Sequence, residues 1–266
     1  MLDRYNRNIN YLRISVTDRC NLRCVYCMPE KGIRLLRREE ILSFEEIAEV
    51  VEAGAEMGIR KVRLTGGEPL IRRGIVQLVG MIKKIQGIDE ITMTTNGVML
   101  PALAQQLKDA GLDRVNISLD AVDPQKFREI SGGGNLEDVF SGIRAAVKAG
   151  LLPVKINVVK LHENDEQQIE SVRKYAAEMG LQMRVIRQMN LVKGEFYRVD
   201  GGDGGNCRKC NRLRLTANGM LMPCLFSNEE FSIRKLGIRE AFIKALAAKP
   251  EQGSVNNRNR FYNIGG

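Results

Sequence analysis

The sequence contains no tryptophan, a single histidine and few aromatic residues, 5% in all. So few aromatics argue against a module that stacks nucleic-acid bases. The lone imidazole, His162, can serve at most one metal site, and its expected place is a surface loop. No apolar run approaches the ~20 residues that a bilayer span requires. Met1–Asn6 lacks the apolar stretch of a signal peptide. The expected setting is therefore cytoplasmic, with no membrane and no nucleic-acid partner. Disulfides are not expected there, so six cysteines point to metal binding or catalysis. What is present is a chain of 266 residues, 44% hydrophobic and 27% charged, enough for one large domain with or without an appendage. Its net charge of +9 points to an anionic partner.

The cysteines fall into two triplets with none between them. Cys20, Cys24 and Cys27 form C-x3-C-x2-C, and Cys207, Cys210 and Cys224 form C-x2-C-x13-C. Two complete zinc sites would need four ligands each, and carboxylates would have to make up the number, which is less usual for structural zinc. Two three-cysteine sites suit iron–sulfur clusters that each leave one iron open.

Between the triplets, β-like runs alternate with helical ones. Strands are expected at Tyr11–Val16, Lys61–Thr65, Glu90–Thr94, Arg114–Leu119, Pro153–Val159 and Met183–Arg187. Helices are expected near Phe44–Met57, Ile75–Ile85, Pro101–Ala110, Leu136–Lys148 and Asp165–Met179. Ser43 with Glu46 makes a capping box, Asp123-Pro124 starts another helix, and Gly111, Gly150 and Gly180 stand where helices should stop. Such alternation implies parallel βα units. Each strand is apolar on one parity only (Leu12, Ile14, Val16; Val62, Leu64; Ile91, Met93; Val115, Ile117, Leu119; Val154, Ile156, Val158). The other parity carries Arg13, Ser15, Lys61, Arg63, Thr65, Thr92, Thr94, Asn116, Ser118, Asp120, Lys155, Asn157 and Arg184. A doubly covered sheet is apolar on both faces, and an ordinary barrel is filled with branched aliphatics. The pattern instead implies a partial barrel around a polar lumen whose cations need an anionic occupant.

After the sixth strand, Val199–Asn206 (VDGGDGGN) reads as a linker. Arg212–Thr216, Asn218-Gly219 and Met220–Leu225 read as a hairpin with a two-residue turn that returns Cys224 towards Cys207 and Cys210. A final helix is expected near Ile238–Ala248. Arg212 and Arg214 alternate on one face of the hairpin strand.

Cys20-Asn-Leu-Arg-Cys24-Val-Tyr26-Cys27 resembles the cluster loop of radical S-adenosylmethionine (SAM) enzymes, and Gly66-Gly67-Glu68-Pro69 is similar to their SAM-binding motif. Thr94-Thr-Asn-Gly, Asn116-Ile-Ser-Leu-Asp-Ala, Lys155-Ile-Asn-Val-Val, Cys207-Arg-Lys-Cys-Asn-Arg-Leu-Arg and the terminal Gly265-Gly266 extend the likeness to the GTP 3′,8-cyclase branch, which acts in molybdenum cofactor biosynthesis. This chain is shorter than that branch between Met189 and Cys207. It also has Arg187 where Glu is usual, and Met189-Asn190 for Met-Asp.

The resemblance implies an α/β fold, an incomplete (β/α)6 TIM-type barrel with a C-terminal iron–sulfur extension. The expected divisions are 1–190 for the barrel, 191–206 for a shortened linker and 207–266 for the auxiliary-cluster region. The implied cofactors are SAM and two [4Fe–4S] clusters, one on Cys20, Cys24 and Cys27 and one on Cys207, Cys210 and Cys224. SAM contacts fall on Tyr26, Gly67, Ser118 and Met189. GTP contacts fall on Arg13, Arg63, Thr94, Lys155, Arg184, Arg212 and Arg214, the last two also as catalytic residues. The glycine tail would reach the substrate, where a side chain would clash. Implied partners are GTP, an electron donor such as flavodoxin or ferredoxin, the next pathway enzyme (cyclic pyranopterin monophosphate synthase) and a second copy of the chain in a homodimer. Two alternatives stay open at this stage: a radical SAM enzyme acting on another substrate such as a peptide, and a basic zinc protein that binds nucleic acid.

Overall fold

Period-two alternation with one apolar parity becomes a sheet covered on one side only. The computed structural model describes residues 1–28, 33–163 and 165–264, so Gly265 and Gly266 lie outside the described residues. Six strands run parallel and neighbour one another in chain order: β1 (Tyr11–Ser15), β2 (Lys61–Thr65), β3 (Glu90–Thr95), β4 (Arg114–Ser118), β5 (Lys155–Lys160) and β6 (Gln182–Arg187). The intervening helices are α1 (Phe44–Glu56), α2 (Ile75–Lys83), α3 (Leu100–Asp109), α4 (Pro124–Ser131), α5 (Leu136–Lys148) and α6 (Glu166–Glu178). Strands and helices end within about two residues of the expected positions, as local end signals allow. Ser43 and Glu46 form the capping box of α1, and Asp123 caps α4 ahead of Pro124.

The apolar parity is the buried one. Leu12, Ile14, Val62, Leu64, Val115, Ile117, Ile156 and Val158 are 0% exposed. They pack in one core with Ile47 and Val51 of α1, Leu78 and Ile82 of α2, Leu107 of α3 and Val139 and Ile143 of α5. At roughly 1.5–3 kcal/mol for each fully buried aliphatic side chain, this outer layer supplies most of the driving force for folding. The opposite parity is left to face inward, and its polar residues need not be hidden under helices.

The sheet stays open as a partial barrel. β6 forms one edge, and on the other side β1 takes a further parallel neighbour, β7 (Arg212–Leu215). β8 (Met220–Met222) and β9 (Phe231–Ser232) follow antiparallel, giving nine strands among the described residues. The hairpin between β7 and β8 differs from the expected two-residue turn. Thr216 and Met220 still pair, and Gly219 donates to the Thr216 carbonyl, so Ala217, Asn218 and Gly219 form the loop. Gly219 takes φ +81°, the left-handed position that such three-residue loops require. The chain ends in α7 (Ile233–Leu236), α8 (Ile238–Ala247) and α9 (Phe261–Ile264). A small second core of Leu191, Met222, Phe226 and Ile264 joins this region to the segment after β6. Among the described residues no helix is long and apolar enough to cross a membrane.

Candidate active site

The carboxyl ends of parallel strands are where loops converge in barrels, and here they frame a cavity of about 460 Å³. Its chemistry begins with the segment after β1. The Thr17 carbonyl accepts from Gly67 N–H at 2.8 Å, and the Arg19 carbonyl accepts from Glu68 N–H at 2.8 Å. Asn96 donates to the Asn21 side chain at 2.7 Å, while Arg23 and Val25 N–H donate to the Ser131 and Ile130 carbonyls at the end of α4. The first cysteine triplet is thus suspended between the ends of β2, β3 and α4. Close approach requires glycine here. A Cβ on Gly67 would stand 2.2 Å from the Arg19 oxygen, and one on Gly66 (φ +149°) would stand 2.5 Å from the Thr17 oxygen.

Two buried carboxylates fasten this end. Glu68 accepts from Leu70 N–H, the Thr95 hydroxyl and Asn96 N–H at 3.0, 2.7 and 2.7 Å. Burial outweighs those donors and pushes its carboxyl up to about 7. Asp120 accepts from the Tyr26 hydroxyl at 2.8 Å and from Val159 N–H at 2.8 Å, and burial pushes it up to about 6. The Tyr26–Asp120 bond ties the aromatic ring of the cysteine loop to the segment just after β4. Glu68 lies within the Gly-Gly-Glu-Pro motif, but its partners on β3 were not legible in the sequence. Asp120 fell on the inward parity with no role attached.

Below the mouth, strand register stacks cations in rows. Arg63, Arg13 and Arg214 are aligned across β2, β1 and β7, and Lys61, Tyr11 and Arg212 form the adjacent row. The Tyr11 ring lies within 5.5–5.8 Å of the charged ends of Lys61, Arg63 and Arg212, a cation–π arrangement that softens their repulsion. Tyr11 shares its strand parity with Arg13, a signal that could have identified it from the sequence. Arg63 donates to the Thr92 and Thr94 hydroxyls, Arg184 to the Gly201 carbonyl and Arg212 to the Asp203 carbonyl, all neutral acceptors. Lys61 and Arg114 both pair with Glu90. Burial and mutual repulsion lower Arg13, Arg63 and Arg184, and Arg214 falls to about 10. Arg212 Nε, Asn116 Nδ2 and Asn157 Oδ1 are buried without a hydrogen-bond partner, all three on the cavity wall. A wall of this kind fits an anionic, hydrogen-bonding guest.

Among the sequence-derived site residues, Cys20, Cys24, Tyr26, Cys27, Gly67, Ser118, Met189, Arg13, Arg63, Thr94, Arg184, Arg212, Arg214, Cys207, Cys210 and Cys224 all border the cavity. Lys155 does not. It opens β5 and stands in register with Asn116, half-buried and off the wall. The Gly/Asp-rich segment expected as a linker contributes Val199, Gly202, Asp203, Gly204 and Gly205 to the wall and pairs with β6 through Asp200 and Val185. Arg187 meets Glu163 at 2.7 Å and lies 4.3 Å from the Tyr197 ring centroid. His162 is exposed, as expected.

The donor set suits iron–sulfur clusters. All six cysteines are free thiols, all are partly buried, and all face the one cavity. Burial, with repulsion from Asp120 and the other thiols, pushes Cys24 up to about 12. Burial beside Cys20 pushes Cys27 up to about 11. Iron bound there would reverse that order, because a cationic centre stabilises thiolates. Among the described residues no three His, Cys, Asp or Glu side chains converge to hold one metal ion. Thiolates that each bind a separate corner of a cluster need no such convergence. Arg7, salt-bridged to Asp3 at 2.6 Å, donates to the Cys207 carbonyl at 2.9 Å. Nothing in the sequence singled it out.

The chain matches the Radical SAM superfamily over residues 14–176 and the Molybdenum Cofactor Synthesis C family over residues 157–262. It is 42% identical to a GTP 3′,8-cyclase of Thermodesulfovibrio yellowstonii over 312 aligned positions, covering 97% of each chain. It is 39% identical to that of Pelotomaculum thermopropionicum, covering 100% of each. An alignment of 312 positions exceeds the 266 residues present, so it contains gaps opposite residues that the relative has and this chain lacks. Similar solved folds include native anSMEcpe with bound AdoMet (TM-score 0.63, 15% identity, covering 91% of this chain and 81% of that one) and methylornithine synthase (TM-score 0.58, 19% identity, covering 96% and 77%). On the identity of its full-length relatives, the chain belongs to the GTP 3′,8-cyclase family of the radical SAM superfamily.

Proposed function

We propose that this cavity converts GTP to 3′,8-cyclo-7,8-dihydro-GTP, the first step of molybdenum cofactor biosynthesis. When bound, the first cluster and SAM would supply a 5′-deoxyadenosyl radical to take the ribose C3′ hydrogen; C3′ would then bond to guanine C8, and one further electron from the reductant, with a proton, would complete the dihydro product. The protein's share is to hold, orient and neutralise. Cys20, Cys24 and Cys27 would carry the first [4Fe–4S] cluster, and Tyr26, Gly67, Ser118 and Met189 would frame SAM. Arg13, Arg63, Thr94 and Arg184 would take the triphosphate. Cys207, Cys210 and Cys224 would carry a second [4Fe–4S] cluster beside the guanine, with Arg212 and Arg214 as the catalytic pair between that centre and the reacting sugar.

One observation carries this reading: two in-register rows of basic side chains line the lumen between the two cysteine triplets. A peptide substrate would offer such rows only its scattered carboxylates, whereas a nucleoside triphosphate brings a compact run of phosphate charge. The test is anaerobic turnover with SAM, a reductant and GTP deuterated at C3′. Deuterium is expected in 5′-deoxyadenosine, together with a cyclised product of GTP mass. SAM cleavage without label transfer would overturn the assignment.

The reading extends to partners. Each turnover needs a low-potential electron, which fits a flavodoxin or ferredoxin, and the product suits cyclic pyranopterin monophosphate synthase as the next enzyme. A cytoplasmic homodimer, a division into 1–190, 191–206 and 207–266, and a substrate role for Gly265-Gly266 complete the proposal.

The Gly67 contact yields a further expected result. Gly67→Ala puts a methyl group against the Arg19 backbone, a clash worth about 1–3 kcal/mol. It should weaken SAM binding by about fivefold to about 150-fold. Gly80→Ala in α2, where nothing lies within 4 Å of the added Cβ, should leave SAM affinity unchanged. Isothermal titration of both reconstituted variants with SAM checks this.

A further inference from the structure

Lys249 is a lysine inside the protein, 1% exposed, just beyond α8. Its ammonium donates to the Arg212 carbonyl at 2.8 Å, the Pro223 carbonyl at 2.7 Å and the Cys210 sulfur at 3.5 Å. An ammonium has three hydrogens, so these acceptors use all of them. They also belong to the segments that bear the second triplet: Cys210 itself, the start of β7 two residues later, and the residue immediately before Cys224. The partners are two carbonyls and a sulfur rather than a carboxylate. A fully buried cation requires nearby negative charge, and the ligating sulfurs are the anionic groups placed to supply it.

We propose that Lys249 is a positioning residue for the second cysteine triplet, spacing the Cys210 and Cys224 segments and favouring the reduced state of the centre they hold. This rests on the reading of that triplet as a cluster site. Outer hydrogen bonds and charges next to ligating sulfurs orient the ligands and set the potential of the centre, because reduction adds negative charge that a neighbouring cation stabilises. The sequence conceals this role. A lysine following a helix reads as a solvated partner of the helix dipole, and only the packing of α8 against the hairpin turns it inward.

The test uses the full-length protein loaded at both sites, with SAM present to set the first cluster's signal apart. Lys249→Gln removes the charge but keeps N–H donors, and Lys249→Met removes both. Iron content and redox titrations followed by electron paramagnetic resonance are compared with the parent. The Gln variant is expected to keep its iron and to shift the second centre's one-electron equilibrium about tenfold towards oxidation, ~59 mV. The first centre should stay in place as the internal control. The Met variant is expected to lose iron from the second site alone; if it fails to fold, the Gln variant decides. Full iron and an unmoved second potential in the Gln variant would overturn the inference. A parent whose second site takes up no cluster would overturn the second-cluster reading and this inference with it, so the two failures are told apart.

Discussion

Serine at any one of Cys20, Cys24 or Cys27 is expected to abolish SAM cleavage, whereas serine at Cys207, Cys210 or Cys224 is expected to leave SAM cleavage running and stop the cyclised product. The asymmetry follows from position. The first triplet hangs on the Gly-Gly-Glu-Pro loop through Thr17 and Arg19 and shares its segment with Tyr26. The second lies on the single helical turn Cys207–Lys209 and on hairpin segments tied to β1 through β7, beside Arg212 and Arg214. A serine oxygen is a harder and far less acidic ligand than a thiolate, so one replacement is enough to unseat a three-thiolate cluster. Measuring 5′-deoxyadenosine with and without GTP separates the two sets. If a second-triplet variant lost GTP-independent SAM cleavage, the division of labour between the triplets would be wrong.

Arg212→Ala and Arg214→Ala are expected to lower GTP conversion about 10²-fold each, while SAM is still consumed without coupling to product. A charge-assisted hydrogen bond is worth about 1.5–3 kcal/mol, and each 1.36 kcal/mol is a factor of ten in rate. Both arginines sit in the rows that β7 adds to β1, Arg212 beside Tyr11 and Arg214 beside Arg13. Neither row can be completed from the barrel strands alone. Lysine at either position should recover part of the activity, because it restores charge without the guanidinium fork. The ratio of cyclised product to 5′-deoxyadenosine is the readout, and a ratio unchanged from the parent in both alanine variants would remove these residues from the catalytic account.

Much of the fold was legible because its signals are local. A capping box at Ser43 and Glu46, a proline at the first position of α4 and left-handed glycines at Gly111, Gly150 and Gly180 act within a few residues of themselves. The same holds for strand parity, which placed Arg13, Arg63 and Arg184 on the inner face without any knowledge of their neighbours. The turn at Gly219 was misjudged by one residue for a related reason. Loop length there depends on which residues of β7 and β8 pair, and Thr216 pairs with Met220.

The sequence by itself therefore determined the two thiol triplets, the parallel βα order and the basic, one-sided lumen, since ligand spacing and periodicity are properties of short stretches. Tertiary structure alone decided which side chains share a site. β7 docks parallel to β1 and sets Arg212 and Arg214 beside Tyr11 and Arg13, Tyr26 reaches Asp120, and Lys249 turns in to Cys210. Lys155, on the favourable parity, is left off the cavity wall. These outcomes join residues far apart in the chain. They are fixed by strand register and by the need of each buried polar group for a partner, neither of which a short stretch of sequence contains.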